Sequence, residues 1–156
     1  MTPEKRLTEL GLELKAHPLP LGPLEAVVID GHLAWVSGQP PSRDGKLVYT
    51  GQLIGEESLE DGRAAARLCA LNILAAAREK LGSLDRVARV IKIVGFVQSP
   101  PGFKIQSKII DAASELLVDV FGDNGSHARS AIGVASLPGD MSVEIEAVLS
   151  LHEVDE

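Results

Sequence analysis

The chain alternates between two hydrophobic periods, and the order of these periods limits its fold more than any other feature. Residues 58–80 carry apolar side chains at helical spacing before a stop at Gly82, and residues 105–120 show the same spacing. Between them, residues 87–97 are rich in Val and Ile, which predicts a largely buried strand. Further strands are predicted on both sides, so the order is strands, helix, strand, helix, strands.

The outer strands have recognisable turns. Residues 26–36 predict a hairpin that turns at Asp30 and Gly31, and residues 47–54 predict a further extended segment. Residues 131–136 and 142–151 predict the two last strands, which we expect to pair around the turn at 137–141. This order of elements predicts an antiparallel or mixed sheet with two helices on one face.

The chain has the size of a single domain. Its 156 residues can bury a substantial core, and no repeat or linker divides them. Thr2, Pro3 and Glu4 have the order of an N-cap, a first-turn proline and a first-turn acid, which predicts a short helix ending near Gly11. Ser58 and Asp61 form a variant capping box for the long helix. We therefore predict one domain over residues 1–156 with a short N-terminal helical extension.

Composition excludes several classes of partner and chemistry. A net charge of −7 and a pI near 5.1 disfavour nucleic acid, whose phosphates bind Lys and Arg. No apolar stretch reaches the ~20 residues that span a bilayer and the N-terminus lacks an apolar signal region, so we expect a cytoplasmic protein without a membrane partner. Cys69 is the only cysteine and is expected to be a buried, inert side chain. The four histidines lack metal-ligand spacing, so we expect no metal site and interpret them as surface or packing residues.

Two helices cannot cover both faces of a sheet, so the uncovered face must be polar or must meet another chain. If Ile132 and Val134 face the helices, strand alternation turns Arg129, Ala131 and Gly133 to the other face. If Val143 and Ile145 face the helices, Glu144 and Glu146 lie on the uncovered face. That face would mix small, apolar and charged residues, as a subunit interface does.

Arg129 stands alone as a cation in the small, apolar segment 127–138. Its planar guanidinium suits a carboxylate in two parallel hydrogen bonds, which predicts an anion clamp. An ion pair with an acidic residue of the same chain, or a strand-end cap, is the structural alternative and argues against a ligand clamp. Pairing of the last two strands would place Glu144 beside Ala135, roughly 20 Å from Arg129. A site that uses both residues would then need a neighbouring subunit.

Several stretches in order resemble the reactive intermediate deaminase family, also called Rid or YjgF-like proteins. They are Val36-Ser37-Gly38-Gln39-Pro40, Asn72-Ile73-Leu74, Val90-Ile91-Lys92-Ile93, Ile110-Asp111-Ala112-Ala113, Ala128-Arg129-Ser130, Leu137-Pro138 and Val143-Glu144-Ile145-Glu146-Ala147. The segment before Arg129 is similar to a branch whose members often have no assigned substrate. The resemblance implies an α+β, chorismate-mutase-like fold with a mixed, mostly antiparallel sheet. It also implies a homotrimer with a central barrel and clefts between subunits.

The resemblance further implies a function and a site. Deaminating members hydrolyse enamine or imine carboxylates such as 2-aminoacrylate to keto acids and ammonia, without a metal or organic cofactor. Carried over to this chain, Arg129 would hold the substrate carboxylate and Glu144 would position or activate water. Backbone groups of Ser37, Gly38 and Ala131 would contact the reacting end.

Three positions depart from the pattern of active members. Leu24 stands where they usually have Tyr, Ala131 where they have Cys, and Asp111 where they have Asn. We expect Asp111 to lie at the substrate site, where its charge would repel an anion unless it is protonated, paired or used on a cationic group. A non-catalytic protein that binds a keto or amino acid is the alternative function. A ribonuclease or translation inhibitor is disfavoured by the acidic composition.

Overall fold

The computed structural model describes residues 1–18 and 22–153. Within these ranges, three helices and seven strands follow one another along the chain. They are α1 (Pro3–Glu9), β1 (Val27–Asp30), β2 (Leu33–Gln39), β3 (Ser42–Arg43), β4 (Lys46–Leu47), α2 (Leu59–Leu81), β5 (Val87–Gln98), α3 (Gln106–Phe121), β6 (Ala128–Val134) and β7 (Val143–Leu151).

The ends of the helices follow from local chemistry. Thr2 Oγ1 accepts a hydrogen bond from the Lys5 amide (3.4 Å) and so caps α1, as predicted. Gly82, with φ of +82°, ends α2, because glycine enters the left-handed region without a steric cost. The predicted capping box at Ser58 is wrong, since its hydroxyl donates to the Gly55 carbonyl (2.7 Å) within a preceding 3-10 turn. Of the predicted segment 47–54, only Leu47 belongs to a strand.

The main sheet has five strands in the order β1-β2-β7-β5-β6, and β3 and β4 form a separate pair. Of the strand pairs in this sheet, only β5 and β6 run parallel, so the sheet is mixed and mostly antiparallel, as predicted. Helices α2 and α3 pack together against one face, where they enclose the core. The fully buried side chains there include Ile73, Leu74, Ile93, Ile110, Leu117, Ile145 and Leu149.

The predicted hairpin of the last two strands is wrong, because β5 lies between β6 and β7. Helix α3 carries the chain from the end of β5 back to its beginning, so β6 returns parallel to β5 at the edge of the sheet. The following loop then crosses the end of β5, where the Gln98 amide donates to the Ser142 carbonyl (2.9 Å). Strand β7 therefore enters the centre of the sheet, between β5 and β2.

The predicted facing of β6 is also reversed. Arg129 pairs with Ile93 and Ala131 with Gly95, and these residues point toward α3. Ile132 lies on the opposite face and is 45% exposed. Residues on the helix side of β6 must be small where the helix comes close, and a Cβ at Gly133 would lie 3.0 Å from Nε2 of Gln106 on α3. The predicted facing of β7 is confirmed, with Val143 and Ile145 buried and Glu144 and Glu146 on the other side.

The face of the sheet away from α2 and α3, which we call the open face, is apolar and charged at once. Val28, Trp35 and Ile132 are about half exposed on it, at 50%, 51% and 45%. A concavity of about 380 Å³ lies on this face, and its lining includes Lys92 and Glu146. A mixture of apolar and charged residues was predicted for the uncovered face, although Arg129, Ala131 and Gly133 lie on the helix side instead. Such a mixture is typical of a subunit interface.

Gly125 sets the position at which the chain enters β6. It ends a 3-10 turn, Gly122–Gly125, that follows α3 directly. A Cβ at this position would lie 2.7 Å from two backbone atoms of α3, Leu117 C and Val118 Cα. Backbone atoms cannot rotate away as a side chain can, so a side chain at Gly125 would displace the turn.

We expect Gly125→Ala to lower the free energy of unfolding by about 1–3 kcal/mol, because an overpacked site must shift its surroundings. The measurement is urea unfolding followed by circular dichroism. Ser126→Ala at the next, exposed position is the control and should stay within about 0.5 kcal/mol of the parent. Equal stability of both variants would contradict the packing described for Gly125.

Candidate functional site

A bulge in β2 brings the first group of predicted site residues together. Between the pairs Val36–Ala147 and Gln39–Ile145, β2 contains two residues, Ser37 and Gly38, and β7 contains one. Bulges of this kind re-aim side chains and backbone groups out of the sheet ladder. Ser37 and Gly38 are therefore released from regular pairing next to the start of β7.

Glu144 lies directly against this bulge. A Cβ at Gly38 would overlap the Glu144 carboxylate, so only glycine allows the close approach. Ser37 is held in place by its hydroxyl, which donates to the Glu25 carbonyl (2.6 Å), and by its amide, which donates to the Ala26 carbonyl (2.9 Å). Ser37, Gly38 and Glu144 form one group, which we call the glutamate half.

A groove of about 490 Å³ adjoins the glutamate half, and Leu24, Ser37 and Gly38 line it. His17 also lines it, with Nε2 at 2.6 Å from Gln39 Oε1. Gln39 Nε2 donates to the Ser37 carbonyl (3.0 Å), so the Gln39 oxygen accepts and His17 Nε2 donates. No sequence pattern indicated that His17 lies near Ser37, since 20 residues separate them.

The carboxyl group of Glu144 has an altered acidity. Burial raises the pKa of Glu144, and the charge of Glu146 two residues later on the same face raises it further. The Glu144 carboxyl therefore holds a proton at a higher pH than an exposed glutamate does. A group of this kind is suited to exchange protons with a ligand.

Arg129 lies in a second group, between β6 and α3. Its Nη1 donates to Asp111 Oδ1 (2.8 Å) and to Ser114 Oγ (3.1 Å), and its Nη2 donates to the Ser107 carbonyl (3.4 Å). The ion pair within the chain, which the sequence left open as the alternative, is thus present. It also answers the expectation for Asp111, because a paired carboxylate repels an anion less than an isolated one.

Ser114 and His127 complete this second group, although the sequence analysis assigned them no role there. Ser114 Oγ lies 2.9 Å from His127 Nε2, and His127 Nδ1 lies 2.6 Å from the Gly125 oxygen. The position of each residue in the sequence could have indicated that it lies near Arg129 or Asp111. Ser114 is one helical turn after Asp111, and His127 is two residues before Arg129 on the same side of the chain. We call Asp111, Ser114, His127 and Arg129 the arginine half.

Ala131 lies two residues beyond Arg129, partly buried against the core. Strand β6 is at the edge of the sheet, so its outer backbone groups are unpaired by any strand of the described residues. Such an edge can accept another chain or a ligand.

The two halves do not meet in one protomer. Arg129 is level with Ile93 and Glu144 with Phe96, three residues apart along β5 and two strands apart across the sheet. That separates the Cα atoms of Arg129 and Glu144 by roughly 14 Å, and the side chains point to opposite faces. The hairpin predicted roughly 20 Å between two residues on one face, whereas the structure separates them by a shorter distance and by the sheet itself.

Residues 1–18 and 22–153 provide neither a metal site nor a membrane-spanning helix. In these ranges, no cluster of three or more His, Cys, Asp and Glu side chains could hold a metal ion, and no helix is long and apolar enough to cross a membrane.

Cys69 is buried as predicted. Burial raises the pKa of its thiol well above the ordinary value, and the charge of Glu144 raises it further. A thiol in that state is a poor nucleophile.

We expect Glu146→Gln to lower the pKa of Glu144, because the substitution removes a negative charge that disfavours ionisation. Carbon-detected NMR titration of the Glu144 carboxyl, assigned with Glu144→Gln, measures this shift. Glu115→Gln on α3 is the control and should leave the titration of Glu144 unchanged. A Glu144 midpoint that is the same with and without Glu146 would contradict the electrostatic coupling.

Comparison with known proteins identifies the family. A family model described as "YjgF/chorismate mutase-like, putative endoribonuclease" matches residues 4–145. Protein TCP17 of Trypanosoma cruzi is 42% identical over 147 residues, which cover 94% of this chain and 92% of that protein.

Two crystal structures are similar over nearly their whole length. Atu1372 of Agrobacterium tumefaciens, of unknown function, is 42% identical with a TM-score of 0.85, covering 97% of this chain and 94% of that one. A Shewanella oneidensis MR-1 protein that carries the same endoribonuclease description is 33% identical with a TM-score of 0.90, covering 97% and 100%. The chain therefore belongs to the YjgF/chorismate mutase-like family.

Proposed function

We propose that this protein hydrolyses small enamine or imine carboxylates, such as 2-aminoacrylate, in clefts formed between three copies of the chain. The observation that carries the proposal is the division of the site within one protomer. An anion-binding arginine half and a proton-exchanging glutamate half lie on opposite faces of the same sheet. Packing of the open face of one chain against the edge strand β6 of a neighbour would bring the glutamate half of one chain close to the arginine half of the other.

Arg129 keeps the capacity to bind a carboxylate despite its ion pair. Asp111 and Ser114 both use Nη1, and the Ser107 carbonyl uses one hydrogen of Nη2. Among the described residues Nε has no hydrogen-bond partner. Nε and one hydrogen of Nη2 therefore remain as donors for a ligand carboxylate.

The chemistry needs only proton transfer and a positioned water. The enamine carbon takes a proton and the nitrogen becomes an iminium, whose carbon is attacked by water. The added water loses a proton to give a carbinolamine, and the nitrogen gains a proton. Ammonia then leaves as the C–N bond breaks, and the hydroxyl group loses its proton to form the carbonyl of the keto acid. Glu144 donates and accepts these protons, a role for which its raised pKa suits it. Fixing the carboxylate at Arg129 holds the reacting carbon in place.

The other residues of the proposed cleft act through their backbone or charge. Gly38 at the bulge and Ala131 on the edge strand offer backbone groups to the reacting end of the substrate, next to Ser37. Asp111 has one carboxylate oxygen outside the ion pair, and its side chain is 47% exposed. That oxygen suits a ligand with a cationic nitrogen, which an iminium has.

A non-catalytic protein that binds keto or amino acids is the second candidate, favoured by the Arg129–Asp111 pair. This pair could hold a carboxylate and an ammonium group without any reaction. Nucleic-acid cleavage is disfavoured by the net charge of −7, although the family description includes that activity.

We expect the protein to accelerate keto-acid release when a dehydratase generates 2-aminoacrylate in situ, and Arg129→Ala to abolish the acceleration. Each charge-assisted hydrogen bond to the carboxylate contributes about 1.5–3 kcal/mol, so a loss of at least about tenfold is expected. Glu144→Gln should slow the reaction while leaving the binding of pyruvate intact. Keto-acid formation is followed with a coupled dehydrogenase.

Arg63→Ala is the matched control, since Arg63 also forms an ion pair with α3, through Glu115 (2.7 Å), away from both halves. It should retain full activity. Binding of keto or amino acids without acceleration would support the second candidate instead. RNA cleavage that survives Arg129→Ala would contradict a function at this site.

We expect the chain to have three times its 16.5 kDa mass in solution, with the open face covered. Trp35 is the only tryptophan and is 51% exposed in the protomer, so assembly should shift its fluorescence to shorter wavelength. Ile132→Lys should produce single chains with red-shifted emission. Val118→Lys, at a similarly exposed position on α3, is the control and should leave the mass unchanged. A single-chain mass for the parent protein would contradict the shared cleft.

A further inference from the structure

A chain of hydrogen bonds leads from Arg129 into the protein. Arg129 Nη1 lies 3.1 Å from Ser114 Oγ, which lies 2.9 Å from His127 Nε2. His127 Nδ1 lies 2.6 Å from the Gly125 carbonyl oxygen. The chain thus connects β6 to α3 and returns to the turn before β6.

The direction of every hydrogen bond in this chain is determined by the groups at its two ends. The Gly125 carbonyl can only accept, so His127 Nδ1 carries a hydrogen. The guanidinium can only donate, so Ser114 accepts from Arg129. Burial lowers the pKa of His127, and the charge of Arg129 lowers it further, against a raising effect of the Gly125 hydrogen bond. His127 is therefore neutral at neutral pH, and its Nε2 accepts the hydrogen of Ser114.

This arrangement decides which edge of the guanidinium is offered to a ligand. Ser114 and Asp111 together occupy both hydrogens of Nη1. Because Ser114 is itself fixed by His127, the guanidinium cannot turn without breaking two hydrogen bonds. Among the described residues Nε keeps no partner, so it remains available to a ligand.

We propose that Ser114 and His127 are positioning residues for Arg129, and that binding of a carboxylate at Arg129 is accompanied by uptake of a proton on His127. The inference rests on the proposed function only in taking Arg129 as the carboxylate anchor. It holds for a catalytic and for a non-catalytic site alike.

The coupling follows from charge. The guanidinium disfavours a second positive charge on His127, and a bound carboxylate offsets the guanidinium charge. His127 is then protonated at Nε2 more readily in the complex than in the free protein. In that state Nε2 donates to Ser114 Oγ, and the hydroxyl hydrogen of Ser114 rotates away from His127. The pKa of His127 is then higher in the complex than in the free protein. By linkage, affinity for the carboxylate rises as the pH falls from the higher of these two pKa values to the lower.

Other charged groups surround His127 and must be distinguished from it. They are Asp111 on α3, Asp123 in the turn before β6, Arg89 on β5 and Arg129 on β6. Arg89 donates to the Ser126 carbonyl (3.2 Å), which places it beside the residue before His127. The His127→Gln variant distinguishes the imidazole from these groups, since it removes only the histidine.

The test is isothermal titration calorimetry with pyruvate as the probe, in two buffers that differ in ionisation enthalpy. The parent protein should take up a fraction of one proton near pH 6. Its affinity for pyruvate should rise about three- to tenfold from pH 7.5 to pH 5.5, because the complex binds one proton more tightly than the free protein does. His127→Gln should abolish both effects, and the exposed His152→Gln should change neither.

Variants of Ser114 separate positioning from folding. Ser114→Ala should weaken pyruvate binding and reduce the proton uptake, whereas Ser114→Thr, which keeps the hydroxyl, should restore both. All variants are compared at equal helical content. Undiminished uptake in His127→Gln, or full affinity in Ser114→Ala, would overturn the proposal. Uptake that disappears only in Glu144→Gln would assign the proton to Glu144 and would also overturn it.

A second measurement does not depend on ligand binding. In an NMR titration, Arg129→Gln should raise the pKa of His127, because the neighbouring positive charge is gone. An unchanged His127 titration would overturn the coupling. If the parent protein binds no pyruvate and releases no keto acid while this coupling is observed, the proposed function fails and the hydrogen-bond chain remains.

Discussion

The structure depends on the close packing of α3 against the parallel pair β5 and β6. A Cβ at Gly95 would lie 2.5 Å from Ile110 Cδ1, and a Cβ at Gly133 would lie 3.0 Å from Nε2 of Gln106, the first residue of α3. The two glycines remove the side chains that would otherwise keep the helix away from these strands. Because the helix lies close, Arg129 reaches Asp111 and Ser114 on it. Strand β6 itself forms an edge of the sheet.

The same packing separates charges that one active site would combine. Arg129 is drawn to the helix side by its polar partners on α3, and Glu144 lies on the open face, which also carries Trp35, Lys92 and Glu146. A single chain therefore has two incomplete halves and an apolar face that no described residue covers. Assembly would resolve both features at once, which is why the proposed cleft and the proposed trimer depend on each other.

Family membership sets the fold, and the individual residues must set the chemistry. The ion pair of Arg129 with Asp111 makes the arginine half nearly neutral in charge, and the partly buried Ser114–His127 chain fixes its orientation. A neutral, oriented cation–anion pair distinguishes ligands that carry both charges from simple anions. In the proposed function this charge pattern is the reason to expect small imino or amino acids rather than nucleic acid as ligands.

Local patterns in the chain were sufficient to define most helices and strands and the inward face of β7. Helical spacing, Gly82 and the Val- and Ile-rich segment are local signals, and each corresponds to an observed helix or strand. The site residues Ser37, Gly38 and Glu144 were found through resemblance and lie together in space. Three outcomes emerged only in the folded molecule: β5 separates β6 from β7, Arg129 faces α3, and Ser114 and His127 join it. They depend on strand pairing and on polar contacts between residues distant in sequence, which hydrophobic periodicity does not record.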